Sequence, residues 1–375
     1  YKKNGEKRKK EIMTIQQTVV EVNLKNLKNN LNFLKSKLNP NTLIMGVVKA
    51  FSYGADSLII AKELEKQKID YLAVAYASEG LALREKGILS PILVLHPQTN
   101  DFNTIIEFKL EPSIYSFRIL KAFTSCSKFD KNYPFQIKFN TGLNRLGFHE
   151  NEIDTLIARL NGLKPTYIFS HLGASDDENE KDFSNDQIKI FSSLTENFQN
   201  KIGSKIKRHL LNTSGILNFS ESQYEMVRTG IGLYGFGNDP KYKNDLRPVI
   251  NLKTVISQIH KISKGGSVGY NKGFIASDNI TIATLPIGHA DGISRQYGNG
   301  NGNVIVNGKL APIIGNVCMD MMMINISKIT CKEGDPVIIF DDKNLSAEDF
   351  TKAIGTIPYE ILASLSKRIK RVIIT

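Results

Sequence analysis

A lysine closes an apolar run in Val47-Val48-Lys49-Ala50-Phe51-Ser52-Tyr53-Gly54. The residues from Leu43 to Val48 read as a buried strand, and a turn containing glycine follows. Burial disfavours an ammonium, so a lysine placed there loses its proton more readily than a surface lysine. The neutral amine is a nucleophile that can form a Schiff base with an aldehyde. The bland alternative is a lysine whose charged head snorkels out of a strand end. The positions of the other polar residues decide between the two.

Strand-like and helix-like segments alternate from residue 18 onward. Thr18–Val22 reads as a strand. Asn23 can cap a helix whose leucines (Leu24, Leu27, Leu31, Leu34, Leu38) fall at helical spacing, with Asn39-Pro40 as its stop. Eight further strand candidates follow: Leu43–Val48, Tyr71–Ala75, Pro91–Leu95, Pro112–Tyr115, Phe135–Phe139, Tyr167–Ser170, Arg208–Leu211 and Glu225–Val227. Amphipathic stretches such as Asp101–Phe108, Phe117–Ser125, Glu152–Leu160 and Ile188–Phe198 separate most of them. This pattern predicts a (β/α)8, TIM-like barrel. The alternative is an open doubly wound sheet, but no Gly-x-Gly-x-x-Gly turn follows an early strand.

A barrel carries its chemistry where its strands end. Lys49 follows the first strand. Lys138 lies near the end of the fifth, with Arg145 on the loop beyond, and His171 follows the sixth. Asn212-Thr213-Ser214-Gly215 follows the seventh strand, and Arg228-Thr229-Gly230-Ile231 the eighth. Singly, each has a structural explanation, such as an ion pair or a hydrogen-bonded core histidine. Together they gather at one end. Loops after the seventh and eighth strands often hold phosphate, and the Thr213 and Ser214 hydroxyls with the Gly230 and Ile231 amides suit that task. A reactive lysine, a phosphate cup and no nucleotide fold point to pyridoxal phosphate.

Near Arg247-Pro248 the pattern changes. Short alternating runs take over (Leu252–Ile259, Ile280–Leu285, Val304–Val306, Val337–Phe340), punctuated by Tyr297–Asn303 and Asn307-Gly308 as turns. A helix at Asp349–Ile354 precedes Ile357-Pro358-Tyr359-Glu360. The expected division is a basic tail or linker at 1–17, a cofactor-binding barrel at 18–247 and a β-rich domain at 248–375.

Composition bounds the rest. The chain has 375 residues and a formal net charge of +12. Six Lys/Arg against one acid fall in residues 1–10. No aromatic interleaving or groove-reading motif accompanies them, so we expect a solvated tail rather than a nucleic-acid site. No apolar run is long enough to span a bilayer, and no signal-peptide core follows the basic start. Three cysteines (Cys126, Cys318, Cys331) lack metal-ligand spacing, which predicts a reducing, cytoplasmic setting and no metal site.

From about Thr18 to the C-terminus the chain resembles the alanine racemases, pyridoxal-phosphate enzymes of fold type III. The motifs occur in family order. Val47–Gly54 resembles the cofactor-lysine signature, and Lys138-Phe139-Asn140-Thr141-Gly142-Leu143-Asn144-Arg145-Leu146-Gly147 the mid-barrel motif. Ser170-His171-Leu172, His209–Ser214 and Arg228–Gly235 resemble the segments around the cofactor ring and phosphate. Val268-Gly269-Tyr270, Leu285–Gly292, Gly315–Asp320 and Pro358-Tyr359-Glu360 resemble the family's later motifs.

The resemblance implies racemisation of L-alanine and D-alanine by two bases, Lys49 and Tyr270, to supply D-alanine for peptidoglycan. It implies cofactor contacts from Lys49, Tyr53, Arg145, His171, Asn212, Thr213, Arg228, Gly230, Ile231 and Tyr359. Substrate contacts come from Arg145 and the Met319 amide, with Lys138, Asn316 and Asp320 in support. It implies a homodimer in which Tyr270 and Met319 are donated across the interface. The sequence departs from the family at Asn140 (often Asp), Asn316 (Arg), His289 (Tyr) and Thr229 (Pro). The family's arginine helps hold a carbamylated lysine, so Asn316 predicts an unmodified or partly carbamylated Lys138, with chloride as a substitute. His289 falls in a region that lines the substrate channel. Competing readings are a racemase of another small amino acid such as serine, a decarboxylase of basic amino acids, and a non-enzymatic cofactor-binding barrel. Retention of Tyr270 and the later motifs weighs against the last two. Some family members are joined to an upstream cell-wall precursor ligase, and a start at Tyr1 is compatible with that or with a trimmed end.

Overall fold

The computed structural model of the protein describes residues 18–237 and 240–374. The expected basic tail lies outside the described residues. The chain divides into two compact units without a single cut. One comprises Glu21–Asn251, Phe340–Leu365 and the segment from Arg371; the other comprises Leu252–Ile339, Ser366–Lys370 and the segment ending at Val20. The crossing at 251/252 lies near the change of pattern at Arg247-Pro248. Residues 340–365, placed by chain order in the β-rich domain, group with the barrel instead.

The first unit is a closed barrel of eight parallel strands. They are β1 (Leu43–Val47), β2 (Tyr71–Val74), β3 (Ile92–Val94), β4 (Glu111–Ile114), β5 (Gln136–Lys138), β6 (Tyr167–Phe169), β7 (Lys207–His209) and β8 (Met226–Thr229). Closure is made by β1 on β8, with Leu43 opposite Met226 and Gly46 opposite Thr229. Short apolar runs suit strands buried on both faces. Each expected strand is present, most of them trimmed by a residue or two at an end. One correction concerns the site: Arg228 lies within β8 rather than after it. It therefore enters the barrel interior.

Helices cover the outside, including Ser57–Lys66, Ala77–Glu85, Phe117–Thr124, Ile153–Leu160 and Lys181–Ile202. Local chemistry sets their starts. The Asp56 carboxylate accepts from the amides of Leu58 and Ile59 at 2.9 and 3.2 Å. Asn23 caps the helix Leu24–Lys35 by accepting from Asn26 N–H at 3.0 Å, as its position predicts. That helix ends at Lys35, short of the expected stop at Asn39-Pro40.

The turn after β1 has an unusual hand. Ala50, Phe51, Ser52 and Tyr53 all have φ between 51° and 55°, and Gly54 has φ 81°. This is one left-handed turn made of side-chain-bearing residues, at a cost of about 1–2 kcal/mol per residue. Neighbours hold it. Glu79 accepts from Ala50 N–H at 2.6 Å and from Ala75 N–H at 2.7 Å. Arg371 donates Nε–H to the Gly54 carbonyl at 3.0 Å and lies 5.1 Å over the Phe51 ring. Gly54 also lies under the helix Pro358–Ser364, where a Cβ would stand 2.1 Å from the Leu362 carbonyl oxygen. Lys49 is the last residue before the hand changes.

In the second unit Gln258–Ile262, Ile280–Leu285, Met322–Asn325, Lys309–Ile314, Asn303–Val306 and Pro336–Phe340 lie side by side in that order in one sheet. Asn307 (φ 46°) and Gly308 (φ 75°) form the expected tight hairpin turn between Asn303–Val306 and Lys309–Ile314. The run read as Leu252–Ile259 is two strands, Ile250–Val255 and Gln258–Ile262. The ladder breaks where Ile256 N–H turns to the Asp335 carbonyl and Ser257 N–H to that of Thr284. Among the described residues, no helix is long and apolar enough to cross a membrane.

Gly54→Ala tests the clasp on the left-handed turn. We expect a loss of stability above about 2 kcal/mol, because the added methyl meets backbone and the φ is unfavourable. Denaturant unfolding measures it; a change below about 0.5 kcal/mol would mean that the turn relaxes freely.

Candidate active site

The barrel's C-terminal mouth gathers cationic side chains. Lys138 ends β5, is buried, and holds its ammonium 5.8 Å over the Phe169 ring of β6. Burial first, then the charges of Arg145, Arg228 and Lys49, pulls its pKa down to about 7. Lys49 is lowered by burial and then by Arg145, partly offset by Glu79. The expectation of an easily deprotonated lysine at the end of β1 therefore has a physical cause in the fold, and Lys138 shares it.

Arg228 is buried, and its pKa is reduced to about 9 by burial and by Arg145. Backbone carbonyls orient its guanidinium: Nη2 donates to Ser170 O at 2.7 Å and to Leu210 O at 2.9 Å. It also donates to Nδ1 of His171 at 3.2 Å. His171 is held far below the usual imidazole range by burial, then by Arg228, Arg145, Lys138 and Lys49. His171 is therefore neutral, with Nδ1 as acceptor and the hydrogen on Nε2.

The loops after β7 and β8 form a small polar cup. Asn212 caps the short helix Thr213–Asn218, accepting from Gly215 N–H at 2.9 Å and from the Ser175 hydroxyl at 2.7 Å. The Thr213 hydroxyl oxygen accepts from Gly230 N–H at 3.3 Å and Gly232 N–H at 3.2 Å. Ile231 is buried beside them. A Cβ at Gly230 would stand 2.3 Å from the Tyr53 hydroxyl oxygen, so glycine is required for that approach. The Tyr53 ring lies 4.5 Å from Tyr234 and 6.1 Å from Tyr359, centroid to centroid. Burial keeps the Tyr53 hydroxyl protonated, reinforced by the two neighbouring tyrosines.

Lys49, Tyr53, Lys138, Arg145, His171, Asn212, Thr213, Arg228, Gly230, Ile231 and Tyr359 thus belong to the barrel unit. Tyr270, Asn316, Met319 and Asp320 belong to the other. There Tyr270 and Met319 are strongly exposed, at 71% and 60%. Tyr270 starts a tight segment in which Gly269, Asn271 and Lys272 all have positive φ. Asn316 anchors it, donating Nδ2–H to the Tyr270 carbonyl at 3.0 Å. Asp320 pairs with Arg368 at 2.7 Å, and Arg368 also forks onto Asp291 at 2.6 and 2.8 Å. His289 is exposed, and its backbone N–H donates to the Cys318 carbonyl.

Comparison with known proteins matches this architecture. Residues 22–238 match the alanine racemase N-terminal domain, and residues 249–373 match its C-terminal domain. The chain belongs to the alanine racemase family. It is accordingly an isomerase. Alanine racemase 2 of Caldanaerobacter subterraneus subsp. tengcongensis is 35% identical over 96% of this chain and 95% of its own. The alanine racemase of Helicobacter pylori strain J99 is 36% identical over 94% and 98%. The solved alanine racemase of Clostridium difficile 630 superposes with a TM-score of 0.87 at 33% identity, covering 96% of each chain. That of Bacillus anthracis, solved with bound L-Ala-P, gives 0.88 at 29% identity, covering 96% and 95%.

Sequence reasoning gave no role to three further residues of the candidate site: Glu79, Phe169 and, beneath Arg228, the buried His209, which reads only as the first residue of the motif His209–Ser214. Glu79 sits in an ordinary helical sequence and carries no local signal. Phe169 reads as core and is core, but it also stacks on His209 at 4.7 Å and lies 5.4 Å under the Arg228 guanidinium.

The lowered Lys138 pKa sets a stability dependence. The unfolded lysine binds its proton up to about pH 10.5, the folded one only to about 7, so the unfolded state holds more protons between them. Stability of the ligand-free protein should rise with pH across that window, and Lys138→Met should flatten the rise. Thermal melts of both proteins from pH 7 to 10 check this; parallel curves would contradict it.

Proposed function

We propose that this chain interconverts L-alanine and D-alanine with pyridoxal 5'-phosphate held in the barrel mouth. The observation that carries this is the charge of the mouth. Lys49, Lys138, Arg145 and Arg228 converge there: Arg145 lowers the pKa of the other three, Arg228 and Lys49 add to the effect on Lys138, and Glu79 partly offsets it at Lys49. Such a mouth is complementary to a polyanion. The cofactor fits it: a phosphate suits the amides and hydroxyls of Thr213, Gly230 and Ile231 together with the Tyr53 and Tyr359 hydroxyls. Its phenolic oxygen suits Arg145, and its aldehyde suits Lys49. When bound, it supplies an aldehyde for covalent attachment and an electron sink that acidifies the substrate's α-proton.

The chain's own groups then divide the work. Lys49 Nζ, with its lowered pKa, takes or returns a proton on one face of the α-carbon. The Tyr270 hydroxyl of the partner subunit does the same on the other face. Two bases on opposite faces are what inversion requires. Arg228 donates to the ring nitrogen and, as a cation, discourages protonation there, which limits how far negative charge is drawn into the ring. His171 stays neutral against the ring. Arg145 and the partner subunit's Met319 amide receive the substrate carboxylate. Asn316 acts in support of Tyr270 by holding its backbone, and Asp320 fixes the Met319 segment through Arg368.

Two exposed residues with assigned roles, Tyr270 and Met319, support a homodimer with shared sites. The cofactor belongs to residues 18–247 together with Tyr359, and the segments of residues 248–375 around Tyr270 and Met319 supply the groups given to the partner. Lys138 has a substantial neutral fraction near pH 7, the form that reacts with CO2. Asn316, being uncharged and engaged with Tyr270, gives a carbamate no ionic support, so partial carbamylation is the expected state. We place the enzyme in the cytoplasm, supplying D-alanine for peptidoglycan.

Lys49→Ala should abolish the yellow colour of the loaded enzyme and nearly all alanine racemisation; undiminished activity would remove Lys49 from the mechanism. A mixed dimer is sharper. Mixing Lys49→Ala with Tyr270→Phe gives one site lacking both bases and one site intact. Activity should reappear from two inactive parents. Failure to recover it, with subunit exchange shown by mass, would mean that each chain builds its own site.

A further inference from the structure

A line of hydrogen bonds runs from Arg228 down the inside of the barrel, away from the mouth. Arg228 Nη1 donates to Nδ1 of the fully buried His209 on β7. His209 Nε2 meets Gln136 Oε1 on β5 at 2.8 Å. Gln136 Nε2 donates to Glu111 Oε2 on β4 at 2.8 Å, and the other Glu111 oxygen accepts from the Tyr71 hydroxyl at 3.2 Å. Gln136 and Lys138 are two residues apart on β5, so both face inward.

The direction of every bond in this line follows by elimination. A guanidinium has only donors, so Nδ1 of His209 accepts. Burial and the Arg228 charge keep the His209 ring neutral, which puts its one hydrogen on Nε2. That hydrogen fixes Oε1 of Gln136 as the acceptor, and the amide nitrogen then faces Glu111. A carboxylate accepts only, so the far end agrees with the near end. None of the three bonds can reverse without reversing the others, and their dipoles add. Burial raises the Glu111 pKa, but Gln136, Tyr71 and Thr166 oppose this by hydrogen bonding to it. The line therefore joins a buried cation to a buried carboxyl through two neutral groups.

We propose that Gln136 and Glu111 are positioning residues for the racemisation. They hold the Nε2–H edge of His209 and carry the Glu111 charge toward Arg228, which steadies the guanidinium against the cofactor's ring nitrogen. The proposal rests on the role given to Arg228 above. Both lie beneath Arg228 on the side away from the mouth, and neither belongs to the motifs quoted above for the family.

The test combines 15N NMR of histidine-labelled protein with kinetics of the loaded dimer. One of the six histidines is assigned to His209 by its loss in His209→Gln. At pH 7 wild-type His209 should show a single neutral form with hydrogen on Nε2, with or without cofactor. In Gln136→Leu the Arg228 donor still holds Nδ1 as the acceptor, so the tautomer should persist, but the Nε2–H loses its acceptor and its 1H and 15N signals should move to those of an unbonded group. In the same variant kcat should fall about tenfold or more, with KM for alanine changed less than about twofold, and the cofactor absorbance band should shift. Glu111→Gln keeps an acceptor oxygen, so it should preserve the tautomer and lose less activity. A wild-type His209 with hydrogen on Nδ1 overturns the relay. So does a folded Gln136→Leu dimer with wild-type kcat and absorbance. Should Gln136→Leu not fold, the wild-type tautomer and the smaller, KM-neutral loss in Glu111→Gln decide. A wild-type protein that does not exchange the alanine α-proton faults the functional reading, while the tautomer still tests the relay.

Discussion

The rest of the site depends on packing several cations into one end of a barrel. Like charges in a poorly solvated mouth repel strongly, and desolvation adds to the penalty. The protein relieves this in two ways. Some groups give up their charge: Lys138 falls to about 7, and His171 and His209 stay neutral. The others keep their charge, with Glu79 acting on Lys49 and Glu111 linked to Arg228 through His209 and Gln136. The same constraint that makes the arrangement costly therefore lowers the pKa of its amines and leaves the mouth complementary to an anion. Binding and reactivity have one cause.

The fold supports that arrangement with backbone strain at one place and a hydrogen-bonded line at another. The left-handed turn at Ala50–Tyr53 ends β1 abruptly behind Lys49 and brings Tyr53 to Gly230. Its cost is offset by the Glu79 and Arg371 clasps and by the packing of Gly54 under the helix Pro358–Ser364. Arg228 instead gains from lying within β8, where backbone carbonyls and the line through His209 hold it from inside the barrel. The mouth is thus fixed by contacts that lie one residue away from the chemistry.

Much of this was legible beforehand. The eight barrel strands show as short apolar runs because parallel strands bury both faces, and Lys49, Lys138 and His171 fall where those runs end. The turn at Asn307-Gly308 was readable because its positive φ values demand those residues. Other features left no local trace. Nothing in Ala50–Tyr53 announces a left-handed turn, since its side chains are ordinary and the stabilising groups come from residues 79 and 371. Arg228 was placed after its strand because a charged residue reads as a strand end, whereas here it is satisfied inside the barrel. Lys309–Ile314 contains Pro312, and Met322–Asn325 is too short to separate from the loop before it. Gln136 and Glu111 look like unrelated polar residues, and His209 like the mere start of a motif, until the barrel closes and sets them in line.

Borohydride reduction of the loaded protein, followed by peptide mapping, tests the central claim most directly. Reduction fixes the cofactor on whichever amine holds it. The charge arrangement gives two lysines with lowered pKa in one mouth, but only Lys49 lies at the end of β1 beside the turn that carries Tyr53. The account predicts a single pyridoxyl-phosphate adduct on the peptide containing Lys49, with Lys138 unlabelled. An adduct on Lys138, or none on either, would contradict it.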